Sequence, residues 1–142
     1  MLVAALAVTA LAAWWLRRAN GTVRTGGTEE AGISAVFERL GVRPQDADLT
    51  VVQFSTAFCA PCRATKARLE QLRTTRPGLA YVHVDAESHL DEVRELDVRR
   101  TPTLFYLGRD GRLIGRSSGA PRPDELTALV DAHAGAGLEQ SS

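Results

Sequence analysis

Val51-Val52-Gln53-Phe54-Ser55-Thr56-Ala57-Phe58-Cys59-Ala60-Pro61-Cys62-Arg63 runs from a β-prone segment into a Cys-x-x-Cys unit. Leu49 to Phe54 has the apolar density of a short, buried central strand. Pro61 suits the first turn of a helix, where its missing N–H leaves no bond unmade. Cys59 and Cys62 therefore fall at a strand-to-helix junction. Thiol–disulfide exchange needs a thiolate that attacks and a second thiol near enough to release the product. A helix start stabilises a Cys59 thiolate through its unpaired N–H groups and its dipole. Cys62, on the first turn, lies within reach for a disulfide. Cys59 is expected to be exposed and Cys62 shielded. Two other readings of the pair exist: inert buried thiols, or a metal site to which His83 and His89 add ligands. The histidine spacing does not require a metal, and the sequence has no other Cys to complete an all-cysteine site. Redox chemistry is the expectation.

Upstream, Ile33, Val36, Phe37 and Leu40 repeat with helical period, and Gly41 and Pro44 stop that helix. Downstream, the Pro61 helix should run to about Arg73 with Leu69 and Leu72 inward, ending at Pro77-Gly78. Leu79 to Asp85 reads as a second strand, and Ser88 or a neighbour should cap a short helix carrying Leu90, Val93 and Leu96. Thr103 to Leu107 is a third strand, and Asp110-Gly111 turns a hairpin into Leu113-Ile114. Pro123 opens a last helix with Leu126, Leu129 and Val130 on one face. The order α-β-α-β-α-β-β-α implies an α/β fold, a central mixed sheet with helices on both faces.

These residues together resemble the thioredoxin family over roughly residues 31–134. Beside the opening stretch, the matching landmarks are Val84-Asp85 at a strand end, Arg100-Thr101-Pro102-Thr103, Asp110-Gly111 and Gly119. The resemblance implies a thioredoxin-like fold and a Cys59–Cys62 redox disulfide that needs neither cofactor nor metal. It implies protein disulfides as substrates, with a reductase or other electron donor as partner. It also implies a cis Thr101–Pro102 bond facing the cysteines, though only about 5–6% of X–Pro bonds are cis in general. Thr101 and Pro102 are then the substrate-binding residues, the Thr101 backbone pairing with an extended segment. The plainer alternative is that Pro102 merely begins a strand. Phe58 stands where Trp is common in the family, and Ala60 where Gly is common. Ala60 and Pro61 stay close to the reducing Gly-Pro type. Gln53 takes the place of a buried acid and Tyr81 that of a Lys often paired with it. A carboxylic acid relays a proton and Gln53 cannot, so general-reductase efficiency is in question.

Residues 1–18 pose a separate question. Leu2 to Leu16 is apolar apart from Thr9, ends on Trp14 and Trp15, and is followed by Arg17 and Arg18. As a helix, Met1 to Leu16 spans about 24 Å, less than the roughly 30 Å hydrocarbon core. Interfacial tryptophans and snorkelling arginines make up part of the difference. A transmembrane helix is the expectation. A cleaved secretory signal is the rival, although no basic residue precedes the apolar run, and a buried helix is the third reading. Arg17, Arg18 and Arg24 all follow the run, which by the positive-inside tendency puts the remaining chain in the cytoplasm. Residues 19–31 read as a flexible linker, 32–134 as the thioredoxin-like domain, and 135–142 as a disordered tail.

Composition is consistent with this division. The 142 residues amount to about one domain. They are 44% hydrophobic and 24% charged, which excludes collagen-like, disulfide-scaffold and wholly disordered chains. The net charge of zero offers no field to recruit nucleic acid. A monomer is expected. The function indicated is a membrane-tethered thiol–disulfide oxidoreductase that reduces protein disulfides. The alternatives are an extracytoplasmic oxidoreductase of envelope disulfide or cytochrome assembly, and a non-catalytic binding module.

Overall fold

Four strands, β1 (Leu49–Ser55), β2 (Leu79–Asp85), β3 (Thr103–Gly108) and β4 (Leu113–Ser118), make one sheet in the order β2-β1-β3-β4. In this computed structural model, which describes residues 7–11 and 27–135, β1 pairs parallel with β2 and antiparallel with β3. β3 pairs antiparallel with β4, so the sheet is mixed, as expected. All seven residues of β1 are buried because it has a strand on each side and helices over each face. β4 lies at the edge and alternates half-buried with exposed residues.

The helices are α1 (Gly27–Arg39), α2 (Ala60–Arg73), α3 (Leu90–Glu95) and α4 (Pro123–Ala134). On one face of the sheet, Val36 and Phe37 of α1 join Val52, Phe54, Val84, Phe105 and Leu107, with Val93 of α3 at the margin. The Phe105 ring meets Phe37 and Phe54 edge to face at 5.3 and 5.7 Å between centroids. On the other face, Leu69 and Leu72 of α2 and Leu126 and Val130 of α4 cover Leu49, Val51, Leu104 and Tyr106. The hairpin between β3 and β4 turns at Gly111, whose φ of +81° suits a residue without Cβ. The Asp110 carboxylate accepts there from Arg112 N at 3.1 Å.

Several local expectations are corrected. α1 begins at Gly27, inside the stretch read as a linker, so that stretch is helical in its last residues. α3 has His89 at its cap position with no side-chain cap bond. Ser88 instead ends a 3-10 turn, Ala86–Ser88, and donates to Asp85 Oδ2 at 2.8 Å. The other Asp85 oxygen accepts from Glu87 N, so both are engaged within this turn. Leu90, the first residue of α3, is 54% exposed, while Leu96 just after its end is buried.

The chain divides into two compact units, Met1–Glu30 and Ala31–Ser142. Residues 7–11 are helical, and the rest of the transmembrane stretch read over residues 1–18 lies outside the described residues. Among the described residues no helix is long and apolar enough to cross a membrane. Of the tail, Gly135 caps α4 and residues 136–142 lie outside the described residues.

Candidate active site

β1 delivers the chain through Thr56, Ala57 and Phe58 to the start of α2, where Cys59 is the N-cap and Pro61 lies in the first turn. The extended backbone of Cys59 (φ −112°, ψ 98°) turns its sulfur over the helix end, where it accepts from Cys62 N at 3.2 Å. Cys59 and Cys62 are joined as a disulfide with their Cα atoms 5.2 Å apart. The expected contrast between an exposed Cys59 and a shielded Cys62 is absent in this state: the residues are 7% and 4% exposed. Bonding to Cys62 draws the Cys59 sulfur onto the first turn, away from solvent. Phe58 is 97% exposed, and Ala60 is exposed beside it.

Gln53 lies beneath the pair and is fully buried. Its Nε2 donates to the Cys62 carbonyl and to Ser55 Oγ, each at 3.0 Å. Its Oε1 accepts from the Tyr81 hydroxyl at 3.1 Å. The amide thus fixes the backbone of the second cysteine without carrying a charge. Burial and the negative charge of Glu70 push the Tyr81 phenol up to about 12. Tyr81 therefore stays a neutral donor to Gln53 at ordinary pH.

The third part of the site is the segment before β3. Thr101–Pro102 is a cis peptide, as the family resemblance implied. Pro102 is buried, and its carbonyl accepts from Gly119 N at 2.8 Å. Gly119 has φ +92°, a conformation that favours glycine. Thr101 is half-buried, with its hydroxyl 3.5 Å from that of Thr56, so this segment abuts the cysteine loop. The Thr101 backbone N–H and C=O hydrogen-bond to none of the described residues. The structure therefore brings Gln53, Phe58, Cys59, Ala60, Pro61 and Cys62 together, with Thr101 and Pro102 alongside.

Sequence reading missed Ser55 as a partner of Gln53, and it weighed His83 beside the cysteines only as a metal ligand. Alternation along β2, which puts residues 81 and 83 on one face, was the available signal. Among the described residues, no group of three or more His, Cys, Asp and Glu is placed to hold a metal.

A redox-capable cysteine pair at a helix start, below a cis-proline segment on a mixed four-stranded sheet, defines a thiol–disulfide exchange site. The thioredoxin family matches residues 38–132, and the chain belongs to that family. It is 29% identical over 90 residues to thioredoxin H4-1 of Oryza sativa subsp. japonica, covering 61% of this chain and 68% of that protein. Oxidised mitochondrial thioredoxin 3 of Saccharomyces cerevisiae superposes with a TM-score of 0.57 at 28% identity, over 69% of this chain and 88% of the other. Fasciola hepatica thioredoxin gives 0.59 at 25% identity, over 70% and 93%. The protein is a thiol–disulfide oxidoreductase with disulfide reductase activity, and Cys59 and Cys62 are its redox pair.

Proposed function

We propose that this chain is a membrane-tethered reductase of protein disulfides, with Cys59 attacking and Cys62 resolving. The position of Cys59 at the start of α2, in the loop whose Thr56 hydroxyl lies 3.5 Å from that of Thr101, carries this reading. An extended substrate segment pairs with Thr101 and sets its disulfide against Cys59. The Cys59 thiolate attacks one substrate sulfur and expels the other as a thiol, leaving a mixed disulfide. The Cys62 thiolate then attacks the Cys59 sulfur. The Cys59–Cys62 bond forms, the substrate leaves fully reduced, and two electrons have passed from the pair. A reductase restores the dithiol. Cys62→Ser should trap mixed disulfides with protein partners and Cys59→Ser none, whereas trapping by Cys59→Ser alone overturns the roles.

The tether belongs to the same proposal. Residues 1–18 anchor the chain in the cell membrane, 19–31 connect, 32–134 form the working monomeric domain, and 135–142 trail from it. The support is the apolar run to Leu16 followed by Arg17, Arg18 and Arg24. Each arginine near an anionic cytoplasmic leaflet adds about 1 kcal/mol of attraction, favouring a cytoplasmic domain. Reporters fused after Ser142, one active only inside and one only outside, test the orientation. Outside-only activity favours an extracytoplasmic oxidoreductase instead, and cleavage of the apolar run removes the anchor.

A further inference from the structure

A groove of about 330 Å³ opens beside Cys62, and its wall includes Ser55, Cys62, Lys66, His83 and Asp85. Resolution of a mixed disulfide requires Cys62 to lose a proton, because the thiolate and not the thiol is the nucleophile. The amide at position 53 offers no titratable group, and both its Nε2 and its Oε1 are already engaged. Tyr81, held neutral, is no acceptor near pH 7. The proton of Cys62 therefore has to leave through the groove.

The groove residues differ in what they can accept. Arg63 and Lys66, on α2, are cations. The two oxygens of Asp85 accept from Ser88 Oγ and Glu87 N, bonds that hold its carboxyl below the usual range and make it a weak base. His83 is the register partner of Gln53 in the parallel β1–β2 pair, so it emerges on the α2 side of the sheet. It is exposed, and its ring hydrogen-bonds to none of the described residues. An imidazole changes charge between pH 5 and 8.

We infer that His83 accepts the Cys62 proton, through water in this groove, when Cys62 resolves the mixed disulfide. The proton passes from Cys62 Sγ to an imidazole nitrogen, and the Cys62 thiolate bonds to Cys59 Sγ. The Cys59–substrate bond breaks, and the departing substrate thiolate takes up a proton. Asp85 and, beyond it, His89 face His83 from its own strand and the following turn, Arg63 and Lys66 face it from α2, and β1 contributes only Gln53 and Ser55. The inference rests on the proposed roles of Cys59 and Cys62.

Stopped-flow reaction of the reduced full chain with 5,5′-dithiobis(2-nitrobenzoate) separates the two steps. Thionitrobenzoate is released first by attack on the reagent and again by resolution. His83→Gln should leave the first phase unchanged and slow the second about tenfold or more at pH 7, a modest share of typical acid–base contributions. The difference should vanish above about pH 9, where a thiol ionises unaided. His83→Glu should move the low-pH limb of the second phase to lower pH, since a carboxylate stays ionised in more acid solution than an imidazole stays neutral. A second phase with the native pH profile in His83→Gln, equal slowing at every pH, or an unmoved limb in His83→Glu overturns the inference. Loss of the first phase in Cys62→Ser rather than Cys59→Ser overturns the cysteine roles instead.

Discussion

β1 presents two faces that bury different things. Towards α1 it offers Val52 and Phe54, which join Phe37 and Phe105 in an apolar cluster. Towards α2 it offers Leu49 and Val51 and then, at the end nearest the cysteines, Gln53. One strand therefore serves as core on one side and as core plus active-site floor on the other. The apolar face supplies stability through area and ring packing, without directional demands. The Gln53 end gives up apolar area for three hydrogen bonds, one of which holds the Cys62 carbonyl. Buried polar groups of this kind cost stability when a partner is missing, so the two faces should respond differently to substitution.

Phe105→Ala tests the apolar face and should have the largest effect. It removes a ring that touches Phe37 and Phe54 and lies 4.8 Å below the Arg116 guanidinium. A loss of about 3–5 kcal/mol is expected in chemical denaturation. A loss under about 1 kcal/mol would mean that this face is not the main source of stability.

Gln53→Asp tests the polar end. The shorter carboxylate keeps acceptors but cannot donate to the Cys62 carbonyl or to Ser55, and its charge is buried. Stability should fall by roughly 2–4 kcal/mol, while disulfide turnover rises at pH values where the new acid is ionised. A folded variant with unchanged turnover would show that proton removal from Cys62 does not limit this enzyme.

Tyr81→Phe sharpens the comparison more gently. Loss of its bond to Gln53 Oε1 should cost about 1 kcal/mol at neutral pH. The folded phenol titrates at about 12 and an unfolded one near 10, so between those values the unfolded chain holds fewer protons. Stability should fall as pH rises through that window and be unaffected by this group below it. Tyr81→Phe should flatten part of the fall. Tyr106, also raised by burial, supplies the remainder. Denaturation midpoints from pH 9 to 12 give the slopes, and equal slopes in both proteins would remove Tyr81 from this account.

The smallest effect on stability should come from Phe58→Ser, within about 0.5 kcal/mol, because the ring is almost wholly in solvent. Its contribution should appear as a higher KM for a protein disulfide such as insulin and an unchanged rate with a small disulfide. An equal change with both substrates would place Phe58 in the chemistry rather than in docking.

Much of this was readable along the chain. The run from Leu49, the Pro61 helix start and the Asp110-Gly111 turn are local signals, and each produced the element expected of it. Local signals misled where two short elements compete for one polar residue: Ser88 serves Asp85 and leaves α3 uncapped. The start of α1 was missed because glycine and threonine resemble a linker, whereas the helix extends back to Gly27 from the amphipathic segment that packs.

Strand and helix periods, turn chemistry and the three-residue cysteine spacing are properties of neighbouring residues, and from them follow the α/β class, the element order and the thiol chemistry. What Gln53 bonds to, which ring sits opposite Phe105, and that His83 opens onto the same groove as Cys62 depend on partners far along the chain. The parallel register of β1 with β2 sets Gln53 beside His83, and the crossover through α2 lays Cys62 above them. Those relations arise only when distant segments close on one another, since hydrogen bonds and packing act through space and not along sequence.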